Sequence, residues 1–319
     1  MSYTRSAIVT GGTINLGFHA ATEIARQHPD WLIVISSRSN REHAASKINQ
    51  LLKQNNTIFL PIDLADPNSV RTFSKNWTSK NHPPIQALLL NAGLQFPGKL
   101  TTTPEGIEST FAINHIGHAL LFHLLCPHLA PHARVVLTSS GTHDPAMKSG
   151  LPDALYTSAE DLAHPPPSIA NGDGRRHYAN SKLANILWTY AAHRRLGQSV
   201  PDRGVVVAAF DPGLMPGTGL AREYPPLMNF LWWKVLPRVV PVLKCVYTEN
   251  IHTPGESGAS LAWLATMEEG GGGKYFEGRK EIMSSEGSYD EKKQDDLWSW
   301  TVRHVARDEA EVERFEAFG

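Results

Sequence analysis

The sequence predicts an α/β fold, a single doubly wound domain around a mostly parallel sheet. Short apolar runs alternate with amphipathic stretches from the first residues to about residue 210, the pattern of repeated βα units. Several of those runs are apolar throughout instead of alternating, as strands covered on both faces must be. A Gly-rich turn joins the first run to the first helix.

That first run is Ser6-Ala7-Ile8-Val9-Thr10, followed by Gly11-Gly12-Thr13-Ile14-Asn15-Leu16-Gly17 and an amphipathic segment through Arg26. Strand, Gly-rich turn and helix is the arrangement in which backbone N–H groups at a helix N-terminus hold a phosphate. Further strands are expected at Trp31–Ser36, Thr57–Ile62, Ile85–Leu90, Arg134–Ser139 and Gly204–Phe210. Helices are expected over Glu105–Leu129 and Tyr178–Leu196, and a last short strand at Lys274-Tyr275-Phe276 after the flexible Gly270–Gly273. No repeat and no clean linker interrupts the 319 residues, so one domain spanning 1–319 is expected, with a large core.

Composition narrows the function. With 30 basic and 31 acidic residues there is no electrostatic pull toward nucleic acid or membrane. The opening residues do not fit a signal peptide. Two cysteines, Cys126 and Cys245, argue for a reducing compartment and against a disulfide framework, so a cytoplasmic protein is expected. His115, His118, His123, His128 and His132 crowd one region at spacings that could present metal ligands. Pro127 and Pro131 break that register, and no metal is expected.

Tyr178 and Lys182 stand four residues apart in Tyr178-Ala179-Asn180-Ser181-Lys182. On a helix this puts them on one face with Cβ atoms roughly 5–6 Å apart. A nearby ammonium lowers the phenol from about 10 by roughly 1–3 units, a route to an acid or base usable near neutral pH. Such pairs are also common on ordinary surface helices, and the rest of the chain decides between the two.

These residues resemble the short-chain dehydrogenases/reductases. The family's marks occur in order: the Thr10–Gly17 turn, Asp63-Leu64, Asn91-Ala92-Gly93, Asn114, Ser139-Ser140, Tyr178…Lys182 and Asp211-Pro212-Gly213. The resemblance implies a Rossmann-type domain with a dinucleotide-binding part over about 1–140. One position departs: Asn15 stands where the middle Gly of the turn belongs, and Asn tolerates a left-handed backbone better than other non-Gly residues. By resemblance, Tyr178 is the acid/base, Lys182 tunes its pKa and holds the nicotinamide ribose, Ser140 hydrogen-bonds the substrate oxygen, and Asn114 supports Lys182 through water. Ser140 is preferred to Ser139, because adjacent strand residues point to opposite faces.

The cofactor set implied is Gly11, Ile14, Asn15, Leu16 and Gly17 in the turn, with Arg38, Asp63, Leu64, Asn91, Tyr178, Lys182, Gly213 and Thr218. Asp63 would meet the adenine, Asn91 the ribose region and the Leu16 backbone the nicotinamide side. Thr218 sits one residue later than the family's usual Thr. Where the second strand ends, Ser36-Ser37-Arg38-Ser39-Asn40 offers an Arg and no carboxylate, which favours a 2′-phosphate and hence NADP(H).

Two insertions are expected on the substrate side, about 141–177 and 214–253. The first resembles the retinol dehydrogenase and protochlorophyllide reductase-like branch, and is read as a substrate cover or a plain surface excursion. The second carries Leu227-Met228-Asn229-Phe230-Leu231-Trp232-Trp233 and Val235–Val246. Lys234, Arg238, Lys244, Pro237 and Pro241 exclude a spanning helix. A lid over a bulky apolar substrate is favoured there over peripheral membrane contact through 225–246. The expected activity is NADPH-dependent interconversion of a carbonyl and a secondary alcohol on a hydrophobic small molecule, in the manner of microbial and fungal secondary-metabolite reductases. An epimerase/dehydratase and a non-catalytic NADP-binding sensor or scaffold are the alternatives. A homo-oligomer pairing through Glu105–Leu129 and Tyr178–Leu196 is possible by analogy.

Overall fold

The protein's structure, a computed structural model, describes residues 3–219, 226–246 and 248–319, with the backbone alone at 226, 228, 245 and 246. Residues 220 and 225 and the side chains of Met228, Cys245 and Val246, all singled out above, lie outside the described residues.

Among the described residues, eight strands form one sheet in the order β3-β2-β1-β4-β5-β6-β7-β8. They are β1 (Arg5–Thr10), β2 (Trp31–Ser37), β3 (Thr57–Pro61), β4 (Ile85–Leu90), β5 (Leu129–Thr138), β6 (Val206–Asp211), β7 (Tyr275–Glu277) and β8 (Lys280–Ile282). All pairings are parallel except β7 with β8. The order reverses between β1 and β4, which opens a crevice at the C-terminal strand ends there.

Both faces are covered, and successive residues divide between them. Ile8, Val34 and Leu88 face a core built with α3 (Pro67–Thr78), α5 (Gly117–Leu125), α8 (Arg175–Ser199) and α12 (Glu291–Val305). Ala7, Val9, Ile33 and Leu89 face the opposite core, closed by α1 (Asn15–Gln27), α2 (Ala44–Leu52) and α11 (Pro254–Thr266).

Three local expectations are corrected. The helix expected over Glu105–Leu129 begins at α4 (Ser109–Phe111), runs through a π-helical turn at Ala112–Ile116 and ends α5 at Leu125. Pro127, without an N–H, stops it, and β5 starts at Leu129, five residues earlier than read. β6 begins at Val206, after a short 3₁₀ turn at Pro201–Arg203. The antiparallel β8 is an addition, reached through Gly278 at φ 58°.

The C-terminal helices, α12 and α13 (Glu309–Glu316), cover the faces through which pairing is expected by analogy. Trp298 stacks on Trp188 at 5.6 Å and Phe315 on His123 at 4.8 Å. The Arg71–Glu311 ion pair, 2.6 Å and little exposed, fixes α13 against α3. A dimer through these faces of α5 and α8 would first have to displace α12 and α13.

Trp298 is fully buried and donates its indole N–H to Glu316 at 3.0 Å. Trp298→Ala is expected to lower unfolding free energy by about 3–5 kcal/mol, read from the urea midpoint. A loss below about 1 kcal/mol would mean that α12 lies outside the cooperative core.

Candidate active site

The turn after β1 is shaped by close approach. A Cβ on Gly17 would stand 2.4 Å from the Gly11 carbonyl oxygen and 2.7 Å from Asn91 Nδ2, so only glycine fits. Asn15 adopts the left-handed conformation, φ 47°, and keeps the turn that a Gly would otherwise supply. α1 opens at Ile14 with no side-chain cap and no acidic residue in its first turn. Its N–H groups and positive dipole end are therefore free for an anion, at the crevice between β1 and β4. This cradle fits the pyrophosphate of a dinucleotide.

Around it the expected cofactor residues fall into two groups. Arg38 is exposed at the end of β2 and makes no hydrogen bond or ion pair among the described residues. Beside it, Ser37 joins the turn through Thr13 at 3.1 Å. Leu64 is buried and Ile14 is exposed. Asp63 accepts from Ala65 N at 3.0 Å and is half-buried. Asn91 is engaged in holding strands together: its Nδ2 donates to the Thr10 carbonyl at 2.8 Å and its Oδ1 accepts from Thr138 at 3.3 Å. Thr218 turns its hydroxyl onto the Met215 carbonyl at 2.9 Å, and Gly213 sits at φ 73°.

Ser140, Tyr178 and Lys182 converge past the end of β5. Ser140 stands close enough to the Tyr178 hydroxyl to pull its pKa down, while Ser139 points away and donates to the Lys182 carbonyl at 2.8 Å. Lys182 Nζ lies over the Tyr178 ring, 5.3 Å from its centroid, and donates to the Thr138 carbonyl at 2.9 Å. Asn114 lies within the π-helical turn, a distortion found frequently at functional sites. It exchanges hydrogen bonds with the Leu94 backbone, both 2.9 Å, and donates to Ser181 at 3.0 Å. It does not bond Lys182. Gly93 faces both, where a Cβ would stand 3.4 Å from Lys182 Nζ and 3.5 Å from Asn114 Oδ1.

The expected depression of the phenol by Lys182 is corrected. Burial pushes the Tyr178 hydroxyl up, the Asp211 carboxylate adds to the rise, and only the Ser140 hydrogen bond pulls it down. Burial also lowers Lys182, to about 8, against the pull of Asp211. The ammonium is desolvated along with the phenol, so the helical pair alone does not set the acidity.

A family model for short chain dehydrogenases matches residues 5–154. Polyprenol dehydrogenase from Homo sapiens is 31% identical over 310 residues, covering 92% of this chain and 83% of that protein. The chain belongs to the short-chain dehydrogenase/reductase family. Dehydrogenase/reductase SDR family member 13 from Bos taurus is 35% identical over 258 residues, 78% of this chain, which spans 63% of that relative's length. Chloroplastic protochlorophyllide reductase from Daucus carota is 29% identical over 308 residues, 91% of this chain and 74% of that one. An NADPH-bound carbonyl reductase from chicken fatty liver shares the fold, with TM-score 0.60 at 17% identity over 88% of this chain and 99% of that one.

This short-chain dehydrogenase/reductase holds a buried carboxylate, Asp211, that the motif reading marked but gave no role. Asp211 accepts from Gly141 N at 3.0 Å, Gly213 N at 2.9 Å and Asn250 Nδ2 at 3.1 Å. It thereby joins the Ser140 turn to the end of β6 while acting electrostatically on both Tyr178 and Lys182. The sequence signal was an acidic residue ending an apolar strand beside Ser139-Ser140. His143, buried next to it, bonds the Ser140 carbonyl at 2.7 Å and accepts from Ser285 N at 3.0 Å.

Two of the crowded histidines, His115 and His118, are buried in hydrogen bonds within the core. His118 bridges Thr10 Oγ1 at 2.9 Å and the Asn114 carbonyl at 3.1 Å. His115 contacts Asn185 and Thr301. Among the described residues, no three His, Cys, Asp or Glu stand close enough to hold a metal.

The first insertion divides in two. Met147 lies 3.8 Å from where a Gly141 Cβ would be, and the Leu155 N–H donates to Asn180 of α8 at 2.8 Å. Both side chains are exposed. From Tyr156 onward the segment packs on α12, with Asp296 accepting from the Tyr156 hydroxyl at 2.7 Å and Ala159 N at 2.9 Å. In the second insertion, Phe230 and Trp233 are exposed, and Trp232 turns inward to donate to the Thr218 carbonyl at 2.9 Å.

Burial holds His115 neutral with a pKa lowered to about 3, His118 to about 4 and His123 to about 3. The unfolded chain takes up these protons from about pH 6.5 downward. Stability therefore falls as pH drops from there toward 4, by about 1.4 kcal/mol per pH unit for each histidine. Glu108, raised by burial to about 7, works the other way: its contribution is full below about 4.5 and fades as pH rises through 7. The three histidines outweigh it, so the urea midpoint should fall between about pH 6.5 and pH 5, with a shallower slope in His118→Gln. A flat profile would contradict the neutral burial.

Proposed function

We propose that this short-chain dehydrogenase/reductase interconverts a carbonyl and a secondary alcohol on a hydrophobic small molecule, with NADP(H) as cofactor. The observation that carries the proposal is the convergence of Ser140, Tyr178 and Lys182 beside the β1–β4 crevice. A dinucleotide held along the Gly11–Gly17 turn would supply the hydride for the carbonyl carbon. Tyr178 then delivers its phenolic proton to the carbonyl oxygen, and takes it back in the oxidative direction. Ser140 donates a hydrogen bond to the same oxygen and stabilises its developing charge. Lys182 would pass a solvent proton back toward Tyr178 through a water held by Asn114 across the space before Gly93. Asp211 keeps Lys182 charged against its burial.

Substrate class follows from the walls. Met147 exposes apolar surface against Gly141, the neighbour of Ser140, which suits an apolar molecule. Polyprenol dehydrogenase and protochlorophyllide reductase, both similar to this chain, are named for large substrates of that kind. A place in secondary-metabolite biosynthesis is part of the same proposal, tested by including polyketide-like ketones in a carbonyl and alcohol panel followed by cofactor absorbance.

Tyr178→Phe removes the transferable proton and keeps the ring. Turnover should fall about 10²–10⁴-fold while cofactor affinity stays within a few-fold, read by steady-state kinetics and cofactor titration. Activity near that of the parent would assign the proton to another group.

Arg38 supports NADP(H), because it is exposed at the end of β2 with no partner of its own among the described residues. A guanidinium there can bond a 2′-phosphate with charge assistance. Arg38→Asp should lower the NADPH over NADH ratio of kcat/KM about ten- to a hundred-fold, less so at high salt. An unmoved ratio, or a parent that prefers NADH, would refute the cofactor assignment.

A further inference from the structure

Residues 226–246 form one helical run: α9 (Pro226–Phe230), a π-helical turn at Leu231–Val235 and α10 (Leu236–Val246). Its two sides differ. The inner side is fastened to the loop that follows β6. Trp232 donates to the Thr218 carbonyl at 2.9 Å, Pro237 packs on Gly217, where a Cβ would stand 3.0 Å from Cγ, and Val240 is buried. The outer side carries Leu227, Phe230, Leu231 and Val242, recurring at helical spacing and exposed by 71%, 58%, 38% and 60%. Trp233, 43% exposed, flanks them.

This is an apolar helix face turned away from the core. A lid would bury such side chains against substrate, yet here Leu227, Phe230, Leu231 and Val242 stay exposed. The charge on the run indicates what covers the outer face. Residues 226–246 contain three basic residues and no acidic one, in a chain whose net charge is −1. Lys244 is paired with Glu256 at 2.7 Å, but Lys234 and Arg238 are exposed on the same side as the apolar residues. Aliphatic and aromatic side chains interleaved with cations are the composition of a helix that lies in a lipid interface, with cationic heads at the phosphate level. No helix among the described residues is long and apolar enough to span a bilayer.

We propose that the outer face of 226–246 docks the protein in the plane of a membrane bearing anionic lipid. Because its inner side holds Thr218 and Gly217, docking sets the loop after β6, and with it the mouth of the site, at the lipid surface. An apolar substrate dissolved in that membrane can then enter without crossing water.

The test is flotation of the full chain with vesicles of phosphatidylcholine alone or mixed with phosphatidylserine, alongside turnover of a small water-soluble ketone. The parent should float with the mixed vesicles and about thirtyfold less with the neutral ones, on the scale of two juxtamembrane cations. Phe230→Ser should weaken binding to both about tenfold or more, the worth of withdrawing one buried apolar side chain. Lys234→Glu should weaken binding to the mixed vesicles alone. Both variants should keep small-ketone turnover and the parent's thermal midpoint. A parent that does not float overturns the proposal, as does binding indifferent to both substitutions. A parent dimer that Phe230→Ser dissociates assigns the face to a second copy and also overturns it. Small-ketone turnover reports separately on the oxidoreductase reading.

Discussion

Thr10 and Asn91 form the junction on which the site depends. The Thr10 hydroxyl accepts from the N–H groups of Asn91 and Ala92 at 2.8 and 3.0 Å, and Asn91 Nδ2 returns a bond to the Thr10 carbonyl. Asn91 Oδ1 accepts from Thr138, whose carbonyl takes hydrogen bonds from Lys182 Nζ and Asn185 Nδ2. β1, β4, β5 and α8 are thus tied at the one place where the strand order reverses. His118 extends the same junction to the π-helical turn that carries Asn114. Fully buried polar groups of this kind cost free energy when left unpaired, so the network holds the phosphate cradle and the tyrosine helix in fixed relation.

Electrostatics add a second constraint. Tyr178 and Lys182 are buried together, and burial alone drives each toward its neutral form. Asp211 opposes that for the lysine and reinforces it for the tyrosine. The residue is 2% exposed, and its oxygens accept from two backbone N–H groups and the Asn250 amide. The Tyr178 hydroxyl is therefore acted on from other segments, by Ser140 after β5 and Asp211 ending β6.

The regions that depart from a plain doubly wound sheet are the ones that shape access. In the first insertion Met147 stays against the turn that carries Ser140, while Tyr156 and Ala159 bond Asp296 of α12. The C-terminal helices use the outer faces of α5 and α8 for intramolecular contact, with Trp298 on Trp188 at their centre. The helical run at 226–246 keeps its apolar face outward while its inner side is fastened to the loop after β6.

Order and spacing along the chain were sufficient for the parallel sheet, because alternating apolar runs and amphipathic segments have one compact solution with both faces covered. They were sufficient also for the Gly11–Gly17 turn, where close backbone approach demands glycine, and for the tolerance of Asn15 in a left-handed backbone, φ 47°. Family spacing brought Ser140, Tyr178 and Lys182 together on paper as in the fold. Other features depended on contacts between residues far apart in sequence. Whether Lys182 acidifies Tyr178 depends on burial and on Asp211, 29 positions beyond it. That Asn91 ties strands, that β5 begins at Leu129 and that α12 covers α8 arise from pairings no local pattern encodes. The direction of Phe230 and Trp233 was equally illegible, because hydrophobicity marks a side chain that avoids water and says nothing of which surface removes it.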